Sequence, residues 1–191
     1  MHHRSKPASE QGFTLIEVVV VVVIIAVLAA IALPTLIDFL PNFRLRSASR
    51  DLYSAILQTK AEAIQRSQNV TLLLDSPADT YTIFIDDGGG TPANANNRII
   101  DAQETVISST TPFPTGVIFG PADLNNDGDF IDAGEIADAD GISFVNNVIV
   151  FSARGLPVGI GTVGLRALAS DGSVVRQRSI TVSSGGRIRT Q

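Results

Sequence analysis

An unbroken apolar run near the N-terminus, residues 18–33, constrains this chain more than any other feature of its sequence. As a helix these sixteen residues span about 24 Å, which is short of the roughly 20 residues that a bilayer crossing needs. Counting back to Phe13 completes a span that only Glu17 interrupts. Because lipid offers no partners to backbone amides, such a run must be helical there. The sequence therefore predicts a hydrophobic helix over residues 13–40.

Two kinds of N-terminal segment have this composition. One is a secretory signal, with Arg4 and Lys6 before the apolar core and Ala30-Ile31-Ala32 as a cleavage site. The other is a helix that stays on the mature protein after cleavage ahead of the run. The second fits better, because a Glu is unusual at the start of a signal core and an amphipathic helix continues after Pro34.

The stretch Gly12-Phe13-Thr14-Leu15-Ile16-Glu17 resembles the prepilin cleavage motif of type IV pilins and type II secretion pseudopilins. The resemblance implies that a prepilin peptidase cuts between Gly12 and Phe13 and methylates the new Phe13 amine. It implies a single-pass inner-membrane subunit, with a periplasmic head, that later joins other pilins or pseudopilins in a filament. The head would then lie in an extracellular pilus or a periplasmic pseudopilus.

In that family the acid corresponding to Glu17 takes part in assembly. A buried carboxylate needs a compensating charge, and the implied partner is the methylated amine of Phe13 on a neighbouring subunit. The plainer alternative is that Glu17 only faces the positive end of the helix dipole. That interaction is worth about 0.3–1 kcal/mol, against an insertion cost of about 2.5–3.5 kcal/mol. Pro34 is expected to kink the helix, or to let it melt locally in a filament.

Enzymatic function is disfavoured by the residues that are missing. The chain has no Cys, and its two histidines, His2 and His3, precede the apolar run. Removal of the leader would leave neither a His-dependent nucleophile nor the usual zinc ligands. A carboxylate dyad or a Lys base is still available, but no pair stands out by its spacing. We therefore expect no catalysis.

Beyond Pro41 the sequence predicts a helix and then a β-rich head. Apolar or small residues recur in steps of three and four from Leu45 to Ala63, at Leu45, Ala48, Leu52, Ile56, Thr59 and Ala63. Turn-bounded segments then predict strands at 70–74, 80–85, 104–108, 116–119, 147–151, 164–169 and 173–182. The expected fold class is α+β, a pilin-like long helix packed on a mainly antiparallel sheet. The predicted divisions are a leader at 1–12, the hydrophobic helix at 13–40 and the head at 41–191.

Charge is distributed unevenly along the head. Residues 84–140 hold eleven acidic side chains against one basic, and residues 151–191 hold six arginines against one acid. The acidic part is expected to be a loop insertion at about 86–140, with a mobile polar loop at 86–97. Within this acidic part, the stretch from Asp123 matches the start of a calcium-binding loop. At the position where such a loop has its final Glu, this sequence has Gly134. The alternative is a metal-free surface turn. Candidate ligands for a structural calcium are Asp123, Asn125, Asp127, Asp129 and Glu135.

The C-terminus is basic and extended. In Gly186-Arg187-Ile188-Arg189 the two guanidinium groups project to one side of an extended chain. The segment "VFSARGLPVG" at 150–159 and this terminal motif resemble the FimT/GspH branch of minor pilins and pseudopilins. In FimT-like members a GRxR motif is implicated in DNA binding, which maps to Gly186, Arg187 and Arg189. The spacing of Arg176 and Arg178 adds them to the predicted cluster, whose lack of aromatic residues argues against sequence-specific binding.

The resemblance to the FimT/GspH branch implies a minor type IV pilin that contributes to DNA binding and uptake in natural transformation. The alternative is a GspH-like minor pseudopilin of a type II secretion system, whose head contacts other subunits or cargo. A catalytic ectodomain is the third and least favoured class. A solvated basic tail without a ligand is the plain alternative to the DNA site.

Overall fold

The computed structural model describes residues 13–87, 97–121 and 140–191, with backbone alone at 32–38. Within these described ranges, the helix α1 (Leu15–Arg66) is followed by eight strands and a short 3-10 turn at Val145–Asn147. The strands are β1 (Val70–Asp75), β2 (Thr80–Ile85), β3 (Thr105–Pro112), β4 (Val117–Phe119), β5 (Val148–Phe151), β6 (Gly161–Leu168), β7 (Val174–Val182) and β8 (Ile188–Thr190).

The chain divides into two compact units, one reaching to Phe39 and the other running from Leu40 to Gln191. In the first unit every described side chain from Phe13 to Ile31 is exposed. The helix continues through Pro34 and Pro41 without ending. The predicted span of 13–40 includes the undescribed side chains at 32–38. Among the residues that are described, no helix is both long and apolar enough to cross a membrane.

In the second unit, α1 buries the stripe that its sequence predicts. Leu45, Ala48, Leu52, Ile56, Thr59 and Ala63 are all almost completely buried. The hydroxyl of Thr59 donates to the carbonyl of Ala55 at 2.7 Å, so this polar group is satisfied inside the core. The helix ends in a Schellman motif, in which Gln68 N–H donates to the Ala63 carbonyl and Ser67 adopts a left-handed φ of 55°.

Two antiparallel four-stranded sheets complete this unit. Sheet A has the order β3-β2-β1-β5 and sheet B has the order β4-β6-β7-β8. One hydrophobic core joins α1 to both sheets, with Phe151 from sheet A and Leu165 from sheet B among its fully buried side chains. The predicted α+β architecture, a long helix packed on antiparallel sheet, is confirmed.

The acidic region and the C-terminal segment both contribute strands to the head. The region expected to be a loop insertion at 86–140 also contains the strands predicted at 104–108 and 116–119, which are β3 of sheet A and β4 of sheet B. The polar loop predicted at 86–97 lies largely outside the described residues, and so does 122–139. The extended C-terminal segment is held in a sheet, because Ile188–Thr190 pairs with β7 as an edge strand. The alternating motif at 186–189 predicts an extended chain here but not its pairing with β7.

Candidate functional site

The start of α1 is capped by its own sequence. Thr14 precedes the first helical residue, and its hydroxyl accepts a hydrogen bond from the Glu17 backbone N–H at 3.3 Å. Glu17 is therefore the third residue of the helix, where a carboxylate favourably meets the N-terminal dipole. Phe13 is 82 % exposed beside it. Gly12 lies outside the described residues.

The C-terminal motif begins in a tight hairpin turn between β7 and β8. Gly186 N–H donates to the Ser183 carbonyl, and Ser183 N–H donates to the Arg187 carbonyl. Gly186 has a φ of +70°, which places it in the left-handed region. This pattern is a three-residue hairpin loop, with a turn followed by a left-handed residue that favours Gly. The glycine of the motif therefore shapes the turn.

Lys60 of α1 anchors that turn. Its Nζ donates to the carbonyl oxygen of Gly186 at 3.1 Å, across 126 residues of sequence. A Cβ added to Gly186 would lie 3.2 Å from the same Nζ and 3.4 Å from the carbonyl oxygen of Gly155. The turn before β8 therefore packs against α1 and against a second turn, at Ser152–Leu156.

Strand β8 directs its residues to opposite faces of sheet B. Ile188 pairs with Val182 and packs against the hydrophobic core. Arg189 pairs with Thr181, and both Arg187 and Arg189 are exposed. Because alternate residues of a strand share a face, the two guanidinium groups leave on the side away from the core. Their predicted common orientation agrees with this register.

Arg176 and Arg178 do not join them, which corrects the predicted cluster of four arginines. In β7 these two residues alternate with Gln177 and share the face of Ile180, while Arg189 lies opposite Thr181 on the other face. Arg178 pairs with Leu165, a fully buried residue. Equal i, i+2 spacing on neighbouring strands therefore placed the two pairs on opposite sides of the sheet.

On strand β6, Arg166 lies on the same face of sheet B as Arg189. Arg166 pairs with Gln177, and its Nε donates to the Pro121 carbonyl at 2.7 Å. Burial lowers the pKa of its guanidinium from the usual value. Its side chain is held by the loop after β4, so it supports this face structurally. The sequence singled out neither Arg166 nor Lys60, since each acts through a partner far along the chain.

The predicted calcium ligands are outside the described residues. Asp123, Asn125, Asp127, Asp129 and Glu135 all fall within 122–139. Among the residues that the structure does describe, no group of three or more His, Cys, Asp or Glu is arranged to hold a metal ion. A structural calcium is therefore still a prediction.

Two protein-family profiles match the chain. The family profile described as "Type II transport protein GspH" matches residues 48–186, and the prokaryotic N-terminal methylation motif matches residues 7–33. The GspH match ends at Gly186, so Arg187 and Arg189 lie just beyond it. A search of curated proteins finds no match.

Among solved structures, the chain is similar to the minor pseudopilin EpsH from the type 2 secretion system of Vibrio cholerae. The identity is 14 % and the TM-score 0.47, over 78 % of this chain and 96 % of that one. It is also similar to the type IV minor pilin FimU of Pseudomonas aeruginosa, with 14 % identity, a TM-score of 0.47 and coverage of 80 % and 92 %. The family match spans well over half of the sequence, so the chain belongs to the GspH family of minor pilins and pseudopilins, filament subunits rather than enzymes.

Proposed function

We propose that this chain is a minor pseudopilin of a type II secretion system, held in the inner membrane by its N-terminal helix before assembly. Cleavage between Gly12 and Phe13 by a prepilin peptidase and methylation of Phe13 would prepare it for the filament. The GspH match over the head and the methylation motif over 7–33 support this reading. The GspH match, described as a type II transport protein, favours secretion over the DNA-uptake pilus that the C-terminal motif alone suggests.

The observation that carries the proposal is the exposed apolar surface of the first unit. Leu15 is 82 % exposed and Ile16 66 %, and every described residue from Val18 to Ile31 is exposed too. Burying one such side chain is worth about 1.5–3 kcal/mol. A surface of this kind requires lipid or other apolar helices around it. Membrane insertion followed by side-by-side packing of pseudopilin helices provides both.

Glu17 gives that packing its register in this proposal. Its carboxylate sits in the first helical turn, next to the new N-terminus that cleavage would create. In a filament core a lone carboxylate is costly unless a positive group neutralises it. The methylated amine of Phe13 on an adjacent subunit would supply that charge. Local melting at Pro34 would adjust the helix to its neighbours.

The test is incorporation of Glu17→Ala and Glu17→Gln into filaments. Each variant is produced with the other subunits of its secretion system, and sheared pseudopili are probed for the chain by immunoblot. We expect leader cleavage to be normal and incorporation to be lost in both variants. Glu62→Ala, which removes an equal charge from the head, is the control and should incorporate normally. Normal incorporation of Glu17→Gln would contradict the charge pairing.

A second candidate function is binding of DNA, not specific for sequence, through the exposed face of β8. What favours it is the register that sends Arg187 and Arg189 to the same side of an edge strand. Arginine suits phosphate oxygens because its planar donors can bind two of them at once. Two phosphate contacts predict that log K falls with log salt at a slope of about −2 on double-stranded DNA.

The register also supplies a matched control for this function. Arg187→Ala/Arg189→Ala and Arg176→Ala/Arg178→Ala remove equal charge from opposite faces of sheet B. Fluorescence anisotropy with a labelled duplex, repeated at several salt concentrations, measures both. We expect the first variant to lose most of the affinity and most of the salt slope, and the second to keep them. Equal binding by the first variant and the parent would remove the DNA function.

A further inference from the structure

Two turns of the head are built alike although they lie about thirty residues apart in sequence. In Ser183–Arg187 the N–H and the hydroxyl of Ser183 both donate to the Arg187 carbonyl. In Ser152–Leu156 the N–H and the hydroxyl of Ser152 donate to the Leu156 carbonyl, each at 2.9 Å. The fourth residue of each turn is a left-handed Gly, Gly186 or Gly155. We call this pair of segments the paired turns.

The paired turns meet on one side chain of the helix. A Cβ placed on Gly155 would lie 3.6 Å from Cε of Lys60, and Lys60 Nζ donates to Gly186. The carbonyl oxygen of Gly155 and the Cδ of Pro157 would both lie 3.4 Å from a Cβ on Gly186. A Cβ on Gly186 would thus be in van der Waals contact with the Ser152–Leu156 turn, so the two backbones lie close together with the Lys60 side chain beside them.

Each of the paired turns carries an exposed arginine next to its left-handed glycine. Arg154 directly precedes Gly155, and Arg187 directly follows Gly186. Consecutive Cα atoms are about 3.8 Å apart, so each arginine is one residue from the place where the backbones touch. Within the described part of the chain, the guanidinium groups of Arg154, Arg187 and Arg189 form no ion pair. The Lys60 ammonium is already used by the Gly186 carbonyl.

We propose that Arg154 belongs to the same phosphate-binding surface as Arg187 and Arg189, and that Lys60 is the positioning residue that holds the paired turns together. The ligand is a polyanion with repeated phosphates along a chain. This inference extends the proposed DNA function by adding a residue from outside the C-terminal motif. Three contacts in place of two steepen the expected salt slope from about −2 to about −3 on duplex DNA.

Two acidic residues line a cavity beside the Ser152–Leu156 turn. Ala153 shares a cavity of about 360 Å³ with Asp86 and Asp87. The carboxylate of Asp86 accepts hydrogen bonds from the backbone N–H groups of Asn97 and Arg98 and is almost fully buried. The Asp86 carboxylate is therefore engaged by these backbone N–H groups and not by an arginine of the paired turns.

The test compares Arg154→Ala with Arg187→Ala and with Arg176→Ala, an exposed arginine on the other face of β7. The full-length chain in a neutral detergent is titrated with a labelled DNA duplex at several salt concentrations, and in parallel with inorganic polyphosphate. We expect Arg154→Ala to lose affinity several-fold and to flatten the salt slope by about one, as Arg187→Ala does. Arg176→Ala should match the parent.

Other results have distinct meanings. If Arg154→Ala binds like the parent while Arg187→Ala weakens, the inference is overturned and the DNA function stands. If Arg176→Ala weakens as much as Arg154→Ala, only overall charge matters and the inference also fails. If the chain binds polyphosphate through Arg154 but not DNA, the DNA function fails and the phosphate surface stands. If the chain binds neither DNA nor polyphosphate, both the DNA function and the inference about Arg154 are overturned.

Discussion

The carboxylate of Asp79 accepts a hydrogen bond from the backbone N–H of Phe119 at 2.9 Å, which connects the β1–β2 turn of sheet A to strand β4 of sheet B. The Asp79 carbonyl also accepts from Phe113 N–H at 3.0 Å. Asp79 has a left-handed φ of 53°, a conformation that Asn and Asp tolerate better than most residues. One side chain thus joins the two sheets at a point where the backbone is strained.

Two substitutions of Asp79 distinguish the contribution of its hydrogen bond to stability from that of its charge. Asp79→Asn keeps an oxygen acceptor and a residue suited to the left-handed region, so its stability at neutral pH should equal or exceed that of the parent. Asp79→Ala removes the acceptor and leaves Phe119 N–H unpaired, which should lower the free energy of unfolding by about 1–2 kcal/mol. Urea denaturation of the three proteins measures the difference. Equal stability of the parent and Asp79→Ala would show that this bond contributes nothing.

The same residue predicts a pH dependence. Burial raises the pKa of Asp79 above its ordinary value of 3.8, with a smaller opposing effect from the Phe119 hydrogen bond. Between 3.8 and the raised pKa the folded state holds more protons than the unfolded state, so this group's contribution to stability falls as pH rises through that window. Above the window the contribution is constant. Asp79→Asn should lack this fall when urea melts at acidic and neutral pH are compared with the parent.

Lys60→Met should loosen the start of β8 while keeping the helix stripe intact. The variant keeps a long apolar stem but loses the hydrogen bond to Gly186, at a cost of about 1–2 kcal/mol. Hydrogen exchange should increase at the amides of β8 and much less in β1 and β2. Arg46→Met, an exposed change on the same helix, is the control and should leave exchange in β8 unaltered. Unchanged β8 protection in Lys60→Met would contradict the anchoring role.

Two adjacent glycines of the β7–β8 turn should respond differently to alanine. At Gly186 the new Cβ meets the Lys60 ammonium and the Gly155 carbonyl, and φ is +70°. We expect Gly186→Ala to lose about 1–2 kcal/mol of unfolding free energy from the left-handed conformation alone. At Gly185 nothing lies within 4 Å of an added Cβ. The melting temperature of Gly185→Ala should therefore be close to that of the parent. A similar loss of stability in both variants would contradict a specific role for the left-handed conformation of Gly186.

Sheet B also holds an orphaned hydroxyl. The Ser179 side chain is buried, and its Oγ has no hydrogen-bond partner among the described residues. Ser179→Ala removes that desolvated group, so thermal denaturation should show unchanged or raised stability, by up to about 1 kcal/mol. Thr181→Val is the contrasting change on the same strand face. It deprives the nearly buried Thr162 hydroxyl of its 3.1 Å partner and should be destabilising.

Local patterns account for much of this molecule. The three- and four-residue spacing from Leu45 to Ala63 predicts a stripe that is buried in the core, because helical periodicity depends only on neighbours along the chain. The same holds for Thr80–Ile85, whose predicted bounds are those of β2. Strand β6 begins at Gly161, three residues ahead of its predicted start, because it pairs with β7 over its whole length and extends into a Gly-rich segment.

What the sequence determined by itself is the helix, the positions of most strands along the chain, the processing motif and the common side of Arg187 and Arg189. Each of these depends on periods of two or 3.6 residues or on a contiguous motif. Only the tertiary structure decided that Arg176 and Arg178 face the other way, that β8 forms the edge of sheet B, and that Lys60 binds the Gly186 carbonyl beside the Gly155 turn. Cross-strand register and long-range contacts set these positions, and no spacing within one segment encodes them.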